Sequence, residues 1–267
     1  MSLNDLTIKN SPHPIVTISF FKYKGIKKFW GFAQMQLAKK PISETPGLTF
    51  FRLMGSGGGN GFSLKPDFSV YALITVWKNK NYARNFHKTS KVFRDFKKHS
   101  HKWWTLYLTT LKSKGKWDRV NPFFPVSGSS QEDIFPIAVL TRATISPRHL
   151  VNFWKHVPAV SEMVQDQEGI IYSKGIGEYP LFLQATFSIW ENKAAMRNYA
   201  YQSELHKDII GKTHKFGWYK EELFSEFKIL ESEGTWNISN IVNLRLTAEY
   251  QNFERYLNES LTQKKRI

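Results

Sequence analysis

The sequence predicts an α+β fold in which two tandem ferredoxin-like βαββαβ repeats close into one dimeric-type α/β barrel inside a single chain. Three observations carry that prediction. Two segments end alike, KSKGKW at 112–117 and ESEGTW at 231–236. ITVWKNKNYARNF at 74–86 lies against FSIWENKAAMRNY at 187–199, pairing Trp77 with Trp190, Asn79 with Asn192 and Arg84-Asn85 with Arg197-Asn198. Each half also runs through the same periodicities: an alternating strand, a helix, two strands, a long helix and a last strand.

The first repeat covers residues 12–117. PIVTISFFKY reads as its first strand, followed by a helix near 26–40, with Phe29-Trp30 set opposite Phe153-Trp154 of the second half. LTFFRLMG and VYALITVW are the central strands, and a polar-apolar helix leads to the last one. DRVNPFFPVSGSSQEDIFP at 118–136 holds three prolines and a serine cluster and reads as a linker. The second repeat, 137–237, starts with IAVLTRATI, continues through a helix near 147–166 and the strands IIYSKGIG and LFLQATFSIW, and carries the helix YAYQSELHKDIIGKTHKFGW before its final strand. Two separate sheets would each expose strand edges, and joining them edge to edge removes that liability. In the tail, 238–267, Leu244, Leu246, Tyr250, Phe253 and Leu257 are spaced for an amphipathic helix.

Composition narrows the function classes. A chain of 267 residues with 41% hydrophobic residues builds a sizeable core without staples. Zero cysteines exclude disulfides, thiolate nucleophiles and cysteine-ligated iron, leaving His, Tyr, Met and carboxylates for any metal. The N-terminus has no apolar signal region, and no apolar run approaches the roughly 20 residues of a membrane helix, so a cytoplasmic protein is expected. The net charge of +16 is compatible with nucleic acid, anionic lipid, an acidic protein partner or a solvated surface. The lysines are scattered over several runs with no nucleic-acid-binding motif, and no nucleic-acid partner is expected.

MGSGGGNGF at 54–62 poses the question of a phosphate cradle. It lacks the Gly-Lys-Ser/Thr ending of a Walker loop, and a strand rather than a helix follows it, so it joins strand to strand and acts through its backbone. The eight histidines match no zinc spacing. His206 stands out because the aligned residue of the first half is Phe93, so the repeat keeps an apolar residue in one copy and an imidazole in the other. Both a structural histidine and a ligand fit that position. Glu221 and Glu222, in KEELFSEF, are candidates to accept the other imidazole N–H and fix its tautomer. No nucleophilic triad or carboxylate pair stands out, which argues against hydrolysis. The nine Trp and 21 Phe fill a core, and they also suit a pocket for a flat macrocycle or a long polyene.

FFRLMGSGGGNGFSLKPD, LTRATI, KGIGEYPLFLQATFSIW and GWYKEELFSEFKIL, in that order over roughly residues 14–237, resemble the spheroidene monooxygenase family of carotenoid ketolases. The resemblance implies a haem-dependent oxygenase that acts on a terminal carbon of an acyclic carotenoid, using dioxygen and an external electron donor of the reduced ferredoxin type. It makes His206 the axial haem ligand, with His214 and then His87 as alternatives. Arg52 and Arg142 become candidate partners of haem propionates or bound oxygen, beside their reading as strand-end arginines. Glu222, Gly57 and Gly59 join the expected cofactor site, the glycines letting backbone approach cofactor or polyene. A lipid-borne substrate implies peripheral contact with an anionic membrane. A noncatalytic haem- or lipophile-binding barrel is the alternative.

Overall fold

The computed structural model describes residues 13–59, 65–125, 136–155, 167–179, 182–202, 211, 213 and 216–248. β1 (Ile15–Lys22) leads into α1 (Lys27–Leu37) and a short α2 (Lys39–Ser43). β2 (Leu48–Gly57) and β3 (Pro66–Trp77) follow, then α3 (Lys80–Thr89), α4 (Lys91–His99) and β4 (Lys102–Gly115). The second half runs β5 (Ile137–Ile145), a 3-10 turn at Pro147–His149, β6 (Ile170–Tyr179), β7 (Leu183–Trp190), α5 (Lys193–Gln202) and β8 (Tyr219–Gly234). Residues 150–155 and 237–248 are also helical.

The eight strands form one closed antiparallel barrel in the order β1-β3-β2-β6-β7-β5-β8-β4. Each half therefore contributes its four strands in the same spatial order. β1 is buried at all but its last position and β3 along its last eight residues, because that part of the sheet is buried on both faces. On β1, Val16, Ile18 and Phe20 enter the barrel core, whereas Ile15 and Phe21 pack outward against the helices. Thr17 and Ser19 also point outward, and their buried hydroxyls are satisfied by Thr75 at 2.5 Å and Thr105 at 2.8 Å.

The two joints between halves differ in length. β4 and β8 pair from Trp104↔Gly234 to Gly115↔Leu223. β2 and β6 pair only at Gly55↔Gly177 and Ser56↔Ile176. Side chains extend the short seam on both sides: Arg52 Nε meets Glu178 at 2.9 Å, and Lys174 Nζ donates to the Gly59 carbonyl at 2.8 Å.

Three expectations are refined. The long helix of the first half is two helices that share Ser90, which ends α3 and whose hydroxyl accepts from the Phe93 amide to start α4. The stretch after Trp117 is not a pure linker at its start, because Phe123 is buried in the barrel core, 5.2 Å from Phe227. The helix at 237–248 presents Ile238, Val242 and Leu246 to the core, a spacing of four, while Leu244 is 71% exposed. Tyr250, Phe253, Leu257 and the end of the helix expected at 147–166 lie outside the described residues.

The barrel interior is packed with side chains. Phe20 lies 5.7 Å from Trp104, Tyr172 and Phe187, and Trp117, Phe50, Phe123 and Phe227 form a second aromatic group. A binding site for a large ligand therefore belongs on an outer face of the sheet.

Candidate functional site

The two halves hold the same register, so their outer faces can be compared position by position. Ile15 pairs with Trp77, and Ile137 pairs with Trp190. The indole N–H of Trp77 donates to Thr75 Oγ1 at 2.7 Å, and that of Trp190 to Ser188 Oγ at 3.0 Å. Asn79 caps its helix by accepting from the Asn81 and Tyr82 amides, and Asn192 does the same for the Ala195 amide. Trp77 and Phe86 stand 5.1 Å apart, Trp190 and Tyr199 5.2 Å. The pairing read from sequence thus extends well into α5.

Against that register the outer faces diverge sharply in size. In the first half Phe21 pairs with Tyr71 and Trp103, and Leu53 with Leu73. These side chains, with Phe93, Phe96 and Phe86, make one continuous layer under the helices. In the second half the corresponding pairs are Ala143 with Gln184 and Glu222, and Gly175 with Thr186. Thr141, opposite Thr186, is exposed although it sits mid-sheet, and Thr186 and Gln184 are half-buried. Among the described residues, two separate apolar clusters flank this floor. One joins Ile137, Val139, Trp190 and Met196, the other Ile145, Phe153 and Trp218. A floor of small and hydroxylated residues between apolar walls accommodates a large, flat or extended apolar molecule and offers it a few hydrogen bonds.

The predicted site residues fall into two groups. Glu222 pairs with Ala143 and so shares the outer side of the second sheet, where it is exposed. Arg52 and Arg142 lie on the other side, inside one end of the barrel, and the structure brings them together against carboxylates rather than at the floor. Neither is an exposed strand-end residue: Arg142 is 4% exposed and Arg52 is half-buried. Arg52 pairs with Asp118 and Glu178, and Arg142 with Glu221 and Asp118. Trp117 donates its indole N–H to Glu178 at 2.8 Å, and both guanidinium groups lie over its ring.

That network holds a turn. Asp118 and Arg119 have φ of 53° and 71°, and their amides both donate to the Glu221 carboxylate, at 2.9 and 2.8 Å. Burial pushes Glu221 up, but the Arg119 and Asp118 amides and the Arg142 guanidinium outweigh it and hold the carboxyl below its usual range. Burial has the upper hand at Glu178, whose carboxyl is raised despite Trp117 and Arg52. Glu221 is thus committed to the turn, and of the two glutamates named from sequence only Glu222 shares the floor's side.

Gly57 pairs with Pro66 at the end of the β2–β3 hairpin. Gly59 adopts φ +61°, a left-handed conformation that favours glycine, and a Cβ there would meet no protein atom within 4 Å. Residues 60–64, with Gly61, and both His206 and His214 lie outside the described residues. His87 belongs to the buried face of α3, where its Nδ1 lies 2.6 Å from the Tyr107 hydroxyl; burial and then the nearby Lys97 lower its pKa to about 3. Among the described residues no group of three or more His, Asp or Glu is arranged to hold a metal ion.

Comparison with known proteins gives the family. Spheroidene monooxygenase from Rhodobacter capsulatus is 35% identical over 224 residues, covering 84% of this chain and 93% of that one. The chain belongs to the spheroidene monooxygenase family. A second relative of that name, from Cereibacter sphaeroides, is 34% identical over 87% of this chain and 72% of its own length. No family model matches. A crystal structure of aldoxime dehydratase shares the fold, with a TM-score of 0.55 over 81% of both chains at 11% identity. Membership of the spheroidene monooxygenase family makes the chain an oxidoreductase of the oxygenase type.

In the sequence the floor is carried by small or polar residues that stand out only against their first-half equivalents. The signal was present in Leu53 against Gly175, Tyr71 against Gln184 and Leu73 against Thr186.

Proposed function

We propose that this chain is a haem-dependent monooxygenase that oxidises a terminal carbon of an acyclic carotenoid such as spheroidene to the hydroxy or keto product. The relatives' name supports the substrate class. The reading of the site rests on one observation, the exchange of Phe21, Leu53, Tyr71 and Leu73 for Ala143, Gly175, Gln184 and Thr186. In this reading the halves are tandem ferredoxin-like units, one filled by its own side chains and one adapted to a ligand.

The residues present fit a macrocycle. Phe93, the residue aligned with His206, packs on Phe21 at 5.7 Å, and the register counterpart of Phe21 is Ala143 on the floor. α5 begins beside the Met196 cluster, and Trp218, just before β8, stands in the opposite cluster. In this proposal His206 would hold the haem iron, and Glu222 would orient its imidazole by accepting the second N–H. Haem bound there would supply dioxygen activation.

The protein's own groups do the rest. Thr141, Thr186 and Gln184 offer hydrogen bonds above the floor, while the apolar clusters at its ends hold the polyene and exclude water. Electrons come from an external donor of the reduced ferredoxin type. Arg52 and Arg142, already neutralised by three carboxylates, hold the turn at Asp118. The test is turnover: protein loaded with haem, given reduced ferredoxin, dioxygen and spheroidene, is expected to yield an oxygenated carotenoid. Haem uptake with no oxygenated product under reducing conditions would identify a noncatalytic binding barrel instead.

A further inference from the structure

We infer that the solvent face of α1 docks the protein onto an anionic lipid bilayer. Most surface helices are apolar on one face only, and this one is apolar on both. Its inner face is locked. Trp30 and Met35 pack into the outer layer of the first sheet, Ala38 is buried with them, and a Cβ at Gly31 would sit 2.9 Å from the Tyr23 ring. With that rotation fixed, the outer face carries Ile26, Phe29, Ala33 and Leu37 in one row and Phe32 beside it, with Gln36 as its polar member.

The exposure is large. Ile26 is 84% exposed, Phe29 76% and Leu37 66%, and Phe32 extends the patch through an edge-on contact of 5.6 Å with the exposed ring of Phe68. Contiguous apolar surface of this kind marks an interaction site. Charge selects the occupant. Lys24, Lys27 and Lys28 stand exposed at one end of the helix, Lys39 and Lys40 at the other, and no acidic residue occurs between His13 and Ser43. Lysines that flank protruding aromatic residues match the headgroup level of an anionic bilayer, with the rings entering the acyl boundary. The patch projects from a helix and forms no groove, and adaptable lipid chains cover such a surface more readily than a rigid acidic protein does. This inference stands on the surface alone and does not depend on the haem site.

The experiment is flotation of the full-length protein with vesicles of phosphatidylcholine containing about one third phosphatidylglycerol, compared with phosphatidylcholine alone. The expected result is binding to the anionic vesicles that weakens as salt shortens the screening length below ~8 Å. The Phe29→Ser, Phe32→Ser double variant is expected to lower the bound fraction about tenfold or more while leaving Tm unchanged, since both rings are solvent-exposed. Lys27→Glu, Lys28→Glu removes the preference for anionic vesicles, and Val151→Ser, at an exposed apolar residue elsewhere, leaves binding intact. Undiminished binding by the double variant overturns the inference, as does absence of wild-type binding at low salt. A wild-type dimer that the double variant dissociates assigns the patch to a second copy of the chain and equally overturns it.

Discussion

Leu73 and Thr186 hold the same register position on the two halves of the barrel, and Leu73 is 1% exposed whereas Thr186 is half-buried. The first sits beneath a continuous aromatic layer, and the second lies between two smaller apolar clusters of the described residues. In the proposed function, that contrast is between a half that serves stability and one adapted to bind.

Filling the floor should therefore remove the site and spare the barrel. Ala143→Phe, Gln184→Tyr, Thr186→Leu restores the first half's side chains at three positions. We expect haem uptake to fall by about tenfold or more with Tm maintained, since added apolar burial offsets any overpacking. The check is visible absorption beside a thermal melt. Full haem uptake by a folded triple variant would place the cofactor elsewhere.

Removing the charge of Glu221 should loosen the turn at Asp118. Glu221→Gln leaves the buried Arg142 guanidinium short of its main partner and weakens the acceptor for two amides at positive φ. The expected loss is about 3 kcal/mol in a urea titration. The folded-state carboxyl is held below its usual value, so its contribution is present above the unfolded-state pKa and lost as pH falls through the folded one. The variant should thus lose less stability than the wild type on acidification.

His87 gives a second pH signature. It is held neutral to about pH 3 in the folded protein, whereas the unfolded chain takes up its proton near 6.5. Stability should then decline as pH falls from 6.5 toward 3, with this residue adding a slope of up to about 1.4 kcal/mol per pH unit. His87→Gln, which retains a hydrogen-bonding group near Tyr107, should flatten that slope in denaturant melts run across the range. An unchanged slope would mean that His87 is charged in the fold.

How far the sequence reached differs between scaffold and site. Strand alternation, the paired Trp77 and Trp190 and the Asn79 and Asn192 caps were legible because each is a local pattern tied to a backbone requirement. The network at Asp118 was not, because Arg52, Trp117, Arg142, Glu178 and Glu221 come from distant segments that only barrel closure brings together. Arg52 and Arg142 were singled out as candidate partners of haem propionates or bound oxygen, and in the structure both pair with carboxylates of the protein. The floor depends on small residues, which announce nothing singly and acquire meaning only when set against Leu53, Tyr71 and Leu73 in register. The exposed face of α1 was hidden for a related reason: Phe29 and Trp30 are neighbours in sequence, and only helix rotation sends one outward and the other into the core.

The most direct measurement is a haem titration of the purified protein followed by visible absorption, run in parallel on the wild type and on His206→Ala. The prediction is a saturable Soret band at one haem-binding site in the wild type, lost for the most part in a variant that keeps the wild-type melting curve. A wild type that takes up no haem, or a folded His206→Ala protein with the same uptake and spectrum, would contradict it.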